Sequence, residues 1–181
     1  GFVGGDVSDN GYGIIVTSGA GYNIDYNSVH MNTDQTVAGN PAAFNVLAAV
    51  TTAGAINLRN NVFANTQTAT SGTDRFAIYS GAPNTVFGTI NNNDYYATSG
   101  LIGFLGSNRA TLANWQSATG QDANSLAVDP LFTTATNLNP LPASTIIGAG
   151  VTVAGITTDY TNSGRNAPPS MGAYENKIVF S

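Results

Sequence analysis

Ile24-Asp25-Tyr26-Asn27, Ile56-Asn57-Leu58-Arg59-Asn60-Asn61 and Ile90-Asn91-Asn92-Asn93 are three echoes of one pattern. Each is a β-prone stretch ending in asparagine, with Val29, Val62-Phe63 or Tyr95-Tyr96 following. The closing asparagines stand 34 and 32 residues apart, a period at which a β-solenoid completes one coil with a loop inserted. Strands that recur once per coil pair in parallel, about 4.8 Å apart. An asparagine at the coil corner tolerates left-handed backbone, and its amide can hydrogen-bond to the asparagines above and below. Asn27, Asn61 and Asn93 are therefore expected to form an asparagine ladder.

The composition agrees with a folded, weakly charged chain. Hydrophobic residues make up 42% of the 181, whereas charged residues make up only 8%, against about 25% in an ordinary soluble domain. Thr, Ser, Asn, Gln and Gly must cover the surface instead. A formal charge of −5, with only five Lys and Arg scattered along the chain, argues against a nucleic-acid partner, because phosphate binding needs clustered cations. Cysteine is absent, which removes disulfides and thiolate metal sites. No apolar stretch approaches the roughly 20 residues of a membrane span, so none is expected.

Further strand signals lie around the echoes. Residues 1–21 carry seven glycines around Ile14-Ile15-Val16-Thr17, and Val46–Thr51 and Phe76–Tyr79 are short apolar runs bounded by Gly, Asn or Pro. One helix is expected near 111–118: Thr111 can cap it, Leu112 and Trp115 share a face, and Gly120 stops it. Trp115 is placed packing this helix on the solenoid flank. Residues 1–132 read as coils with inserted loops, and 133–181 as the last coil and a C-terminal cap of the same domain. Gly1-Phe2-Val3 begins strand-like without a polar cap, so further coils or another chain are expected to cover that end. Lys177–Ser181 is apolar for a tail and is expected to return to the core or continue towards an anchor or another domain.

From Asn91 onward the text carries a resemblance. Asn92-Asn93-Asp94-Tyr95-Tyr96, Asn114-Trp115-Gln116 leading into Thr119–Ser125, Val128-Asp129-Pro130-Leu131-Phe132, Thr158-Asp159-Tyr160, Gly164-Arg165 and Met171–Glu175 follow in order over some 85 residues. This resembles the C-terminal section of secreted bacterial right-handed parallel β-helix proteins of the pectate-lyase-like superfamily. The resemblance implies an all-β chain: a right-handed parallel β-helix with one short flanking helix and a C-terminal loop cap. It also implies an extracellular or cell-surface setting. It does not imply a reaction.

Within the closing motif, Asp159, Arg165 and Glu175 are expected to form a structural cap, an arginine clamped by two carboxylates over the last coil. The chemistry-bearing residues are otherwise dispersed. Calcium wants six to eight oxygen ligands, but Asp25, Asp34, Asp74, Asp94 and Asp122 are spread along the repeats. Stacking of Asp25 on Asp94 would give at most a weak Ca²⁺ site, and no cofactor is expected. A glycosidase needs two carboxylates about 5–9.5 Å apart, and no adjacent acidic pair occurs. His30 is the single histidine and reads as a loop or strand-edge residue. No catalytic residue is assigned.

The expected function is a non-catalytic extracellular β-helix segment of a bacterial surface or secreted protein, serving as adhesin, stalk or glycan-contacting scaffold. Polysaccharide or cell-surface glycan is the expected partner, with Tyr95, Tyr96 and Trp115 as candidate contacts. The rival is part of a polysaccharide lyase or glycoside hydrolase of the same fold. An ice-binding solenoid is a second rival, weakened because Thr-x-Thr does not recur once per coil.

Overall fold

The computed structural model describes residues 11–70 and 72–176, so the readings made on Gly1-Phe2-Val3 and on Lys177–Ser181 lie outside the described residues. The chain is mostly β, with parallel sheets and one short α-helix. A triplet of strands repeats three times: β1 (Tyr12–Val16), β2 (Tyr22–Asp25) and β3 (Ser28–Met31); β4 (Ala42–Val46), β5 (Ile56–Arg59) and β6 (Val62–Asn65); β7 (Phe76–Ser80), β8 (Phe87–Asn91) and β9 (Asp94–Ala97). Corresponding strands pair in parallel. The first sheet is β1-β4-β7-β10-β11, the second β2-β5-β8 and the third β3-β6-β9.

Apart from a bulge at Gly88, where β8 shifts register against Ile56 and Asn57 of β5, register makes each repeat a copy of the last. In the second sheet Ile24, Leu58 and Ile90 align, and in the third Val29, Phe63 and Tyr95 align. These columns face one interior with Phe44, Ile56 and Ile78, all wholly buried. Aromatic rings continue through it: Phe44 lies 5.2 Å from Phe63, and Phe63 lies 6.2 Å from Tyr95. Burial of one such side chain stabilises the fold by about 1.5–3 kcal/mol.

Only two residues separate the second-sheet strand from the third-sheet strand in each repeat: Tyr26-Asn27, Asn60-Asn61 and Asn92-Asn93. The first of each pair takes the left-handed conformation, with φ of 59°, 58° and 55°. The left-handed strain thus falls one residue before each of Asn27, Asn61 and Asn93, whose side chains are left to bridge the repeats. A two-residue corner needs this conformation to turn so tightly, and asparagine tolerates it better than most residues.

The pattern ends at β10 (Gly103–Leu105), where β11 (Ser107–Arg109) folds back antiparallel and α1 (Leu112–Thr119) follows. Thr111 accepts from the Asn114 N–H at 3.2 Å, and Gly120 ends the helix with φ 70°. The helix lies across the end of the interior rather than on its flank. Trp115 reaches the last parallel strand of every sheet: its ring is 6.3 Å from Phe87 of β8 and 6.0 Å from Tyr95 of β9. At Gly103 of β10, a Cβ atom would stand 2.8 Å from the Trp115 ring. Ile78 occupies the aligned position in β7, so glycine is what lets the indole close the stack.

After an isolated bridge between Asp94 and Leu126, residues 127–176 contain no repeating strand and run back over the outer side of the third sheet and its corners. The corner side chains hold this strap. Asn92 donates to the Ala149 carbonyl, Asn60 and Tyr26 both donate to the Val151 carbonyl, and Ser28 accepts from the Ala173 N–H. A small second core of Val62, Ile146 and Met171 forms beneath it, with Leu126, Val128 and Phe132 against it.

Asn61 sits in the middle of the corner column, buried and bonded on both sides, whereas Asn27 at its edge is half-buried. Asn61→Ala is expected to cost about 3 kcal/mol or more, because several buried partners lose their bonds at once, and Asn27→Ala about 1 kcal/mol. Urea unfolding of both variants checks this; equal losses at the two positions would contradict it.

Candidate functional site

The corner amides form a continuous chain of bonds. Asn61 Oδ1 accepts from both the backbone N–H and the Nδ2 of Asn27, each at 2.9 Å. Asn93 Oδ1 accepts in the same way from Asn61, at 3.0 and 2.9 Å. The Nδ2 groups of Asn61 and Asn93 also donate to the Ile24 and Leu58 carbonyls of the preceding repeats. At the next repeat position Ser125 accepts from the Asn93 N–H at 2.8 Å. The structure therefore brings Asn27, Asn61 and Asn93 into one line, and a hydroxyl ends it.

Ser125 leads to a buried carboxylate that sequence reasoning treated as one scattered acid among several. Asp122 accepts from the Ser125 hydroxyl, from the Tyr95 hydroxyl at 2.7 Å and from Trp115 Nε1 at 2.7 Å. Burial pushes the Asp122 carboxyl up, against the hydrogen bonds from Ser125, Tyr95 and Trp115. The signal lay in its place just past the C-terminus of the Trp115 helix and three residues before Ser125, within reach of both.

This hub corrects two of the expected glycan contacts. Tyr95 and Trp115 are both 0% exposed, with their polar tips turned inward to Asp122, so neither ring offers a face to a sugar. Tyr96 is half-buried, and burial together with the charge and hydrogen bond of Asp129 pushes its hydroxyl up. Among the described residues the most exposed aromatic is Tyr160 at 76%, whose ring meets Tyr174 edge-on at 5.6 Å.

The expected cap is rearranged in both place and bonding. Arg165 lies beside the corner of the first repeat, not over the last: its guanidinium carbon sits 3.7 Å from the centre of the Tyr26 ring. Arg165 meets one carboxylate, with Nη1 3.5 Å from Glu175 Oε2, and Nη2 donates to the Gly172 carbonyl. Glu175 is satisfied mainly by neutral donors, the Ser170 N–H and hydroxyl and Asn166 Nδ2. Asp159 does not touch Arg165. Its Oδ1 accepts from the N–H groups of Thr161 and Ser163, and its Oδ2 from the Glu175 N–H at 2.8 Å. Burial opposes ionisation of Asp159, but these donors outweigh it and hold the carboxyl below its usual range. The turn after Asp159 orients the aspartate towards its own loop, which spacing alone does not reveal.

The remaining polar groups are tied together or dispersed. Arg59 forms a two-pronged pair with Asp25, both bonds 2.9 Å, and Asn57 donates to Asn23 on the same outer face of the second sheet. Asp25 aligns with Arg59 in the second sheet whereas Asp94 aligns with Val62 in the third, so the two carboxylates do not stack as a cation site would require. Among the described residues, no three His, Cys, Asp or Glu gather as a metal set, and no helix is long and apolar enough to cross a membrane. His30 is taken up by Thr66 at 2.8 Å and the Ala135 carbonyl at 3.2 Å, pinning the strap to the first repeat. A shallow cavity of about 290 Å³ lies between Tyr26, Arg165 and the 152–157 loop. The chain matches no family model, and comparison with curated proteins and with solved structures returns no significant match.

Arg165 and Glu175 are 6% and 0% exposed at their side chains. Arg165→Ala is expected to lower stability by about 3–5 kcal/mol, since it strands a buried carboxylate and uncovers Tyr26. Calorimetry should then record a fall in Tm of roughly 10 °C. An unchanged Tm would mean that the pair does not hold the strap.

Proposed function

We propose that the three sheets are the faces of a right-handed parallel β-helix of the pectate-lyase-like kind. The chain is then a non-catalytic extracellular segment of a bacterial surface or secreted protein, working as a stalk or adhesin that contacts glycan. The coil is supported by the identical order in which each repeat visits the three sheets, with parallel pairing at every step among the triplets. Right-handedness follows from the general preference of parallel crossovers.

One observation carries the scaffold reading: the polar side chains of the repeats end on one another. Asn27, Asn61, Asn93 and Ser125 form one line, Asn57 meets Asn23, Arg59 meets Asp25, and Thr68 meets Asp34. Such groups serve cohesion between repeats and are not free to act on a substrate. The four arginines of the described residues are likewise engaged, with Asp25, Glu175 or the Thr73 and Leu105 carbonyls, so no nucleic-acid partner is proposed. Glycan contact falls to the surface that remains, with the exposed Tyr160 ring as its aromatic platform.

The domain is expected to bind members of a panel of neutral and acidic polysaccharides without forming unsaturated products or new reducing ends, and Tyr160→Ala is expected to weaken that binding several-fold. Product formation above the protein-free control would replace this reading with the lyase or hydrolase one.

A further inference from the structure

Position 94 breaks the character of its column. In the third sheet Ser28, Val62 and Asp94 align, and Leu126 bridges to Asp94 as the next member. Val62 and Leu126 belong to the apolar cluster between the sheet and the strap, so the carboxyl of Asp94 is set between two aliphatic neighbours. Asp94 is 0% exposed. Its Oδ1 accepts from the Val128 N–H at 3.0 Å, whereas its Oδ2 is buried without a hydrogen-bond partner.

The titratable groups nearby do not compensate it. The segment beyond Leu126 presents Asp129, of the same sign; β9 itself presents Tyr96; β6 presents uncharged Val62. Of the other titratable side chains of the third sheet, Tyr95 turns inward to Asp122, and His30 of β3 is held by Thr66 and Ala135. Each described arginine is engaged elsewhere.

We propose that Asp94 is a proton-controlled clasp: with a neutral carboxyl it fixes the chain from Leu126 to Asp129 onto the outer face of the third sheet, and on ionising it releases that segment. The neutral form fits a dry site between Val62 and Leu126 and still accepts from Val128. The ionised form would leave a bare oxygen in apolar surroundings beside another anion, and only water admitted by opening the segment can solvate it.

Burial, with Asp129 adding to it and the Val128 and Tyr95 N–H groups opposing it, pushes the carboxyl up to about 7. A free aspartate titrates near 3.9, so the docked segment holds its proton where the released one does not. The contribution of the clasp is therefore complete below about pH 4, is lost as pH rises to about 7, and stays lost above it.

Hydrogen exchange of the Leu126 and Val128 amides, corrected for intrinsic chemistry, tests this on the full chain. Protection of both amides should fall on the order of a hundredfold between pH 5 and pH 8 in the wild type and stay flat in Asp94→Asn. Asp129→Asn, which removes the like charge, should move the midpoint to lower pH while leaving Asp94 in place. A ¹³C titration of the wild-type Asp94 carboxyl is expected to report ionisation in the same range, and needs no variant. Ionisation below pH 5, wild-type protection that does not change with pH, or an Asp94→Asn protein that keeps the wild-type pH dependence would each overturn the proposal.

Discussion

The rest of the structure depends on a primary amide at a two-residue corner. A left-handed residue at Tyr26, Asn60 or Asn92 turns the chain sharply, and the next residue must then satisfy backbone groups that no strand ladder reaches. An asparagine does this in both directions. Its oxygen takes the N–H of the preceding repeat's corner, and its nitrogen returns bonds to that repeat's Ile24 or Leu58 carbonyl. Repeats joined in this way need few charges, which is how a chain with only 8% charged residues holds parallel strands in register.

Where the amide stops, the repeat stops. Ser125 can accept from Asn93, but a hydroxyl is too short to reach the previous repeat's carbonyls as well, and its own bond goes to Asp122. Asp122 in turn fixes Tyr95 and Trp115, and Trp115 closes the interior against the last parallel strand of each sheet. The end of the ladder and the end of the apolar interior are thus joined by one carboxylate.

The strand triplets and the line of Asn27, Asn61 and Asn93 were legible because both arise from features that recur at fixed spacing. The helix was legible from Thr111, Trp115 and Gly120, but its position was not: only the register that sets Gly103 beside Ile78 shows that the indole fits over the interior. The strap was misplaced for a related reason. Its anchors, Tyr26 to Val151 and Ser28 to Ala173, join residues 125 and 145 positions apart with no periodicity to betray them. Asp159, Arg165 and Glu175 were rightly grouped as neighbours in a loop, yet sequence proximity could not say that a turn would draw Asp159 away and that Tyr26 would take its place beside the guanidinium. Trp115 reads as a packing residue from the sequence, but nothing in the spacing shows that Asp122 gathers its polar tip and that of Tyr95 inside.

Asp122 and Asp94, two of the buried carboxylates that meet no cation, show how the number of donors decides what a buried charge does. Asp122 receives the hydroxyls of Ser125 and Tyr95 and the indole N–H of Trp115, so each of its oxygens is solvated by the protein itself. Asp94 receives the Val128 N–H on one oxygen, leaves the other bare and has Asp129 as its nearest acidic neighbour. The first arrangement can hold a closed end against solvent. The second makes the seating of the strap depend on a proton, because no donor in the fold replaces water on that oxygen. In a chain so poor in charge, the placement of a few hydroxyl and indole donors separates a fixed joint from a titratable one.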